Sequence, residues 1–536
     1  MDRYEQALRE AGQLVFFGFD GPALNEHARS AIRELHIGNV ILFTRNYRSP
    51  AQFFTLIRQL QALALEANGA PMFVAADQEG GSVTRMTSGV TWFPGPMATR
   101  AAGGGPALAQ AVGEGIGAEM ARMGLNFALA PVTDLADNPD SAHIGSRSYG
   151  ADPQAAAPYV EAFLRGVQRH VIATAKHFPS IGGSAADLHL ELGCSRRTRA
   201  QLEAFEMQPV RLAVRAGAQA VMTSHEVYTA VDDGPGTLSA ALLQGYLRGQ
   251  FGFEGLIVSD CMEMQALQHR VDAPQACVRA VLAGVDLLLI CHTQRLQAEC
   301  VHALARAICD GVIPRARLEE SLARIAAKKR ALPQPHTCPQ PQTDALFAED
   351  RALSRDICRR ALTAKGETAL LRCGENERFL LLAPPPAALT MADETQGAHS
   401  LCAAAQRAFP QAECVEYAFP LSEQELAQLR ARIARGGYSK ILVATYNLHA
   451  DSRQQMLLQA ALSADVPVCA IALRTPYDAR WYEGCRAWML AYEYTPPMTQ
   501  AVVAALRGEI SCTGALPDDA ARVLQRERRD LSCPKR

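Results

Sequence analysis

The sequence predicts an α/β protein: a (β/α)8 barrel of the TIM type followed by a smaller α/β/α sandwich. Three observations predict it. Eight short apolar runs alternate with helical patterns in the first part of the chain. Polar residues able to do chemistry follow several of those runs directly. A Pro-rich stretch then separates this part from a second, shorter series of runs.

The eight runs are Leu14 to Gly18, Val40 to Phe43, Met72 to Ala76, Phe127 to Ala130, Ile172 to Ala175, Ala220 to Thr223, Leu256 to Ser259 and Leu287 to Ile290. Each is short and apolar on both faces, the mark of a strand in a parallel sheet. Between them, stretches such as Ala51 to Ala67 and Ala107 to Met123 repeat apolar residues at three- and four-residue spacing. Eight strands is the number of a closed barrel, and a doubly wound sheet is the alternative. The barrel is preferred because Asp77, Asp134, Lys176, His177, His225, Asp260 and His292 all follow strand runs, as a barrel's C-terminal face requires. A helix from Arg315 to Leu332 closes it, and Pro333 to Pro341 sustains neither helix nor sheet. The predicted division is 1–335 for the barrel, 336–350 for the linker and 351–536 for the sandwich. A helix from Ala345 to Leu362 leads into it. Its strands are Phe379 to Ala383, Cys414 to Ala418, Ile441 to Thr445, Val466 to Leu473 and Ala487 to Tyr492, with helices such as Glu423 to Arg435 between them. Its strand ends carry fewer chemical groups, so its expected role is structural support.

Composition narrows the function. A chain of 536 residues implies two or three domains. A hydrophobic share of 49% with 20% charged residues describes a folded globular protein. The formal net charge of −2 and the lack of a basic stripe argue against nucleic acid as a partner. No apolar run reaches membrane-spanning length, and the first residues are polar, so no membrane partner is expected. The 15 cysteines are scattered without CxxC pairs, which suggests a reduced, cytoplasmic setting. No H-x-x-x-H helix spacing, Walker loop or dinucleotide G-x-G-x-x-G is present, so neither a metal nor an organic cofactor is expected.

The most informative stretch is Lys176 to His189, K-H-F-P-S-I-G-G-S-A-A-D-L-H, in which Pro179, Gly182 and Gly183 make a loop after the fifth strand. Asp187 and His189 stand two apart and face the same way in extended backbone. A carboxylate there orients an imidazole for general acid/base work, although such a pair also occurs on ordinary surface loops. Asp77 to Arg85, D-Q-E-G-G-S-V-T-R, joins a strand-end carboxylate to an Arg eight residues on. That suits recognition of hydroxyls, or else a structural Asp–Arg pair. Arg147, in the long loop after the fourth strand, holds either a substrate oxygen or the loop itself. Asp260 ends a wholly apolar strand, either as a nucleophile at the barrel mouth or as the N-cap of the next helix.

Together these segments resemble glycoside hydrolase family 3, in its β-N-acetylglucosaminidase branch. The branch pattern K-H-F-P-G-H-G-x-[ST]-x-x-D-[ST]-H is similar to the stretch from Lys176, D-Q-E-G-G-x-V-x-R matches Asp77 to Arg85, R-S-[FY] matches Arg147 to Tyr149, and [ST]-D-x-[LM]-x-M matches Ser259 to Met264. Arg474 to Asp478 and Ala491 to Thr495 are similar to the family's second domain. The resemblance implies a retaining, exo-acting hydrolase of terminal β-linked N-acetylhexosamine, plausible on cytoplasmic peptidoglycan fragments. A glycoside phosphorylase, a β-glycosidase of changed sugar preference and a non-catalytic sugar-binding protein are the alternatives. It implies Asp260 as nucleophile, His189 as acid/base held by Asp187, and Asp77, Arg85, Arg147, Lys176 and His177 as binders of a small carbohydrate substrate. Two departures, Ser180-Ile181 for Gly-His and Leu188 for Ser/Thr, make the acid/base loop more apolar and leave the proposed dyad intact.

Overall fold

All eight predicted runs become strands of one closed, parallel barrel. In the computed structural model, which describes residues 2–183, 192–332, 347–390, 392–395 and 400–532, they are β1 (Val15–Phe17), β2 (Asn39–Ile41), β3 (Phe73–Ala76), β4 (Phe127–Ala128), β5 (Ile172–Phe178), β7 (Ala220–Thr223), β9 (Leu256–Cys261) and β10 (Leu287–Ile290). Each strand pairs with the next in that series, and β10 closes the ring on β1. Two further short strands, β6 (Cys194–Ser195) and β8 (Val227–Tyr228), pair outside the ring and tie the loop after β5 to the loop after β7.

The barrel interior is filled, not open. Phe16 of β1 meets Phe127 of β4 at 5.5 Å, and Phe73 of β3 meets Phe127 at 5.3 Å. Strands β1 and β4 are not neighbours in the ring, so this contact crosses the interior. At the lower rim the buried Lys329 ammonium donates to the Gly38 carbonyl at 2.9 Å and sits 5.4 Å from the Phe73 ring. Burial pushes that amine down to about 7.

Helix ends follow local chemistry. Ser49 caps the Pro50–Asn68 helix by accepting the Gln52 N–H, Pro50 occupies its first turn, and Gly69 ends it at φ +68°. Asp152 and Asp272 cap the Pro153–Val167 and Ala273–Ala283 helices in the same manner. Among the described residues no helix is long and apolar enough to cross a membrane.

Two register irregularities position the site. Along β5, Ala175 pairs with Val221 and Phe178 with Thr223, so three steps on β5 match two on β7. Along β9, Val258 pairs with Leu287 and Cys261 with Leu289, again three steps against two. Each strand therefore carries one extra residue, and such bulges re-aim side chains near active sites. The first interval contains Lys176 and His177; the second contains Asp260.

The second domain is a six-stranded sheet, β11 (Thr363–Gly366), β12 (Leu380–Ala383), β13 (Glu413–Glu416), β14 (Ile441–Thr445), β15 (Val468–Ala472) and β16 (Ala487–Leu490), in the order β11-β16-β15-β14-β12-β13. Five of these were expected. The sixth, β11, is antiparallel to β16; its sequence, Thr-Ala-Lys-Gly, has no apolar run to announce it because it lies at the sheet edge. Of the expected linker, 336–350, residues 336–346 lie outside the described residues, and its last three residues belong to the helix Ala348–Ala361.

Candidate active site

A cavity of about 560 Å³ opens at the C-terminal end of the barrel strands and is lined by Asp77, Arg85, Arg147, Lys176, His177 and Asp260 among others. Six of the eight predicted site residues thus meet in one place, from β5, β9 and the loops that follow β3 and β4. Asp187 and His189 lie outside the described residues, as does Leu188.

A chain of charges forms one wall. Lys176 Nζ donates to Asp77 Oδ1 at 2.8 Å and lies 2.6 Å from Glu79 Oε1. Arg85 Nη2 donates to Asp77 Oδ2 at 3.0 Å. Arg147 Nε and Nη2 donate to the two Glu79 oxygens, both at 2.8 Å, and Nη1 donates to the His143 carbonyl at 2.6 Å. Burial alone would raise both carboxyls. Lys176 and Arg85 override it at Asp77 and hold it far below the usual range, and Arg147 and Lys176 hold Glu79 at about 2. Burial likewise opposes the Lys176 charge, and Asp77 and Glu79 more than restore it. Asp77 therefore stays an ionised acceptor, still 16% exposed, beside two cations. Such an arrangement offers an acceptor on Asp77 and donors on Lys176 and Arg85 to hydroxyl groups that enter the cavity.

Of the two sequence alternatives for Arg147, the loop-holding one is visible: its bidentate pair with Glu79 pins the Gly145–Arg147 turn to the barrel. Its guanidinium also lines the cavity. Of the two for Asp260, the N-cap is excluded, since the next helix, Gln265–Gln268, is capped at Met264 and Asp260 lies within β9. The Asp260 carboxylate is 25% exposed and accepts the Cys261 N–H at 2.7 Å.

Beside it stands a pair made by the end of β5 and the loop after β4. His177 Nδ1 lies 2.7 Å from Asp134 Oδ2, and its Nε2 is 4.0 Å from Asp260 Oδ2. Asp134 also accepts the His177 and Ile181 N–H groups and the Ser180 hydroxyl. Burial would raise its carboxyl, but the neighbouring imidazole and these donors hold it below the ordinary range. An ionised, acceptor-only Asp134 places the ring proton on Nδ1 and leaves Nε2 toward the cavity. The same carboxylate anchors the turn after β5, where Gly182 packs so closely that a Cβ would come within 2.1 Å of the Leu135 carbonyl oxygen.

Several groups were missed from the sequence. Glu79 was inside a recognised motif but not assigned. Asp134 was noticed at a strand end without its partner. His225, which also follows a strand run, has Nδ1 at 2.8 Å from Thr237 Oγ1 and Nε2 at 3.0 Å from the Cys261 carbonyl, so both ring nitrogens serve the scaffold. The second domain does more than support: Ala392, Asp393 and Glu394 line the cavity. Arg85 Nη1 donates to the Ala392 carbonyl at 2.8 Å, Glu394 pairs with Thr44, and Arg474 holds Asp393 at 2.8 Å. On the apolar side Ile181 packs with Val132 and Ile144, with Met264 against them, so the expected apolar character of this loop is visible in its described part.

Residues 8–327 match the glycosyl hydrolase family 3 N-terminal domain. A β-hexosaminidase of Thioalkalivibrio sulfidiphilus is 36% identical over 296 residues, 54% of this chain and 84% of that protein. One of Nitrosomonas eutropha is 35% identical over 279 residues, 51% of this chain and 78% of that protein. The structure of a glycoside hydrolase family 3 β-N-acetylglucosaminidase from Paenibacillus sp. str. FPU-7 superposes with a TM-score of 0.88 at 32% identity, covering 95% of this chain and 98% of that one. With the family model matched over residues 8–327, more than half of the chain, the chain belongs to glycosyl hydrolase family 3.

Proposed function

We propose that this chain is a retaining, exo-acting β-N-acetylglucosaminidase that removes terminal β-linked N-acetylhexosamine. The observation that carries the reading is the Asp260 carboxylate, at the end of β9, facing a cavity whose other wall is the Asp77–Lys176–Arg85 chain. Its relatives named β-hexosaminidase and β-N-acetylglucosaminidase support the same sugar.

In this reading Asp77, Arg85, Arg147, Lys176 and His177 bind the terminal sugar. Asp260 Oδ attacks the anomeric carbon as the glycosidic C–O bond breaks, and His189, held by Asp187, gives its proton to the leaving oxygen. Water then attacks the glycosyl–Asp260 ester, returns a proton to His189 and frees the carboxylate. An imidazole acid/base beside a carboxylate nucleophile avoids the repulsion of two carboxylates. The physiological substrate we propose is a cytoplasmic fragment of peptidoglycan, supported by the resemblance to the family branch.

A panel of p-nitrophenyl glycosides tests the sugar. The β-N-acetylglucosaminide is expected to be turned over, with a rate independent of inorganic phosphate; preference for the β-glucoside or dependence on phosphate overturns the reading. His189→Ala should slow substrates with poor leaving groups about 10²–10⁴-fold and activated aryl glycosides far less. Equal slowing of both would move the acid/base role elsewhere, and the Asp134–His177 pair would then be the first to test.

A further inference from the structure

A second cluster of reactive side chains lies on the same cavity wall and has no part in the displacement just described. Cys261 ends β9, one residue after Asp260. Cys291 and His292 follow β10, the adjacent parallel strand, where Leu289 is in register with Cys261. The two sulfurs and an imidazole nitrogen all lie within 4.8 Å of one another, and all three residues line the cavity. We infer that Cys261, Cys291 and His292 form a binding site for a soft or borderline metal ion, of the zinc class, and that the bound ion inhibits the enzyme.

The donor set selects the ion. Two thiolates and one imidazole suit Zn²⁺, Co²⁺ or Cd²⁺, whereas Mg²⁺ and Ca²⁺ require oxygen ligands. Three protein ligands leave a fourth position of a tetrahedral site facing the cavity, open to water or a substrate group. Binding a divalent ion releases the two thiol protons, so the filled site is neutral and no uncompensated charge is buried.

The backbone of each ligand is fixed in advance. His225 Nε2 lies 3.0 Å from the Cys261 carbonyl. Arg45 Nη2 donates to the Cys291 carbonyl at 2.8 Å, and Gly18 approaches so closely that a Cβ there would come within 2.1 Å of that oxygen. The His292 and Thr293 N–H groups donate to the two Glu263 oxygens at 2.6 and 2.9 Å, and the His292 ring packs 5.3 Å from Phe43. Such second contacts hold ligands in place and reduce the ordering cost of binding. Cys291 is buried, Cys261 half-buried and His292 exposed, so the site is reached from the cavity. An ion there takes up space in the sugar pocket beside the nucleophile, which is the basis for inhibition.

Metal binding is read independently of turnover. The full chain, reduced with a phosphine and kept anaerobic, is titrated with Co²⁺. One equivalent is expected to produce a thiolate-to-cobalt charge-transfer band, removed on adding Zn²⁺. Cys261→Ala/Cys291→Ala should abolish the band. His292→Gln, at an exposed position, should keep the fold and lower the affinity at least about tenfold. No band, or the same band in the double cysteine variant, overturns the site. In turnover assays Zn²⁺ should inhibit the wild type, with about tenfold more needed for His292→Gln; a Co²⁺ band without inhibition by Zn²⁺ overturns the inhibitory role. Because the band does not depend on substrate, failure of the glycosidase reading leaves this test intact.

Discussion

Replacing Lys176 with Met removes the one cation shared by Asp77 and Glu79. The ammonium lies 2.8 Å from one carboxylate and 2.6 Å from the other, and the side chain is 3% exposed. At an effective dielectric of about 20, each contact carries about 6 kcal/mol of gross attraction. Much of this is offset by desolvation, and Arg85 and Arg147 still partner the two acids afterwards. The net loss should therefore fall near that of breaking a buried pair, about 3–5 kcal/mol. Spread over the barrel, this lowers the melting midpoint by about 4–8 °C at neutral pH. The sign with pH follows from the depressed carboxyls. Their stabilisation is present above the ordinary values of 3.8 and 4.5 and is lost as pH falls toward about 2 for Glu79. Without Lys176 the depression is smaller, so wild type and variant should converge on acidification. Calorimetry of both proteins across neutral and acidic pH measures this. A midpoint within about 1 °C of wild type at neutral pH, or a gap that widens in acid, would refute the reasoning.

Glu493 is buried between the domains, accepts the Gly95 N–H at 2.6 Å and the Thr495 hydroxyl at 2.7 Å, and is pushed by burial up to about 7. Its contribution is full below 4.5 and lost as pH rises through about 7, worth up to about 3 kcal/mol, so Glu493→Gln should flatten the fall in melting midpoint over that window. Asp134→Asn leaves His177 without its anionic partner and should lower kcat/KM by about 10²-fold or more in steady-state assays; a change below about threefold would show that the ring needs no such hold. Ile181→Ser shrinks the apolar cluster with Val132 and Ile144 and should raise KM for aryl over methyl glycosides by about 5–30-fold; an unchanged ratio would place the aglycone elsewhere.

The barrel was legible because its strands are buried on both faces and read as apolar runs, as in Leu287–Ile290. Helix bounds were legible where caps are local, as at Ser49-Pro50 and Gly69. Strand β11 was not, since only Thr363 of its four residues is buried. In the site, Asp77, Lys176 and Asp260 were legible because strand ends converge in a barrel whatever their separation in the chain. Pairings were not. Nothing in the sequence joins His177 to Asp134, 43 residues apart, or Arg85 to Ala392, 307 apart. Cys261 and Cys291 show no ligand spacing because their proximity comes from two adjacent strands. The structural role expected for the second domain missed the 392–395 loop for the same reason: its short polar sequence carries no sign of where it docks.

The central claim is that Asp260 forms a covalent bond to the sugar. Incubation with a fluorinated N-acetylglucosaminyl fluoride, followed by proteolysis and mass spectrometry, tests it most directly. The account predicts one sugar per chain on the peptide containing Asp260, and none on Asp260→Ala. A label on any other carboxylate, or substantial turnover by Asp260→Ala, would contradict it.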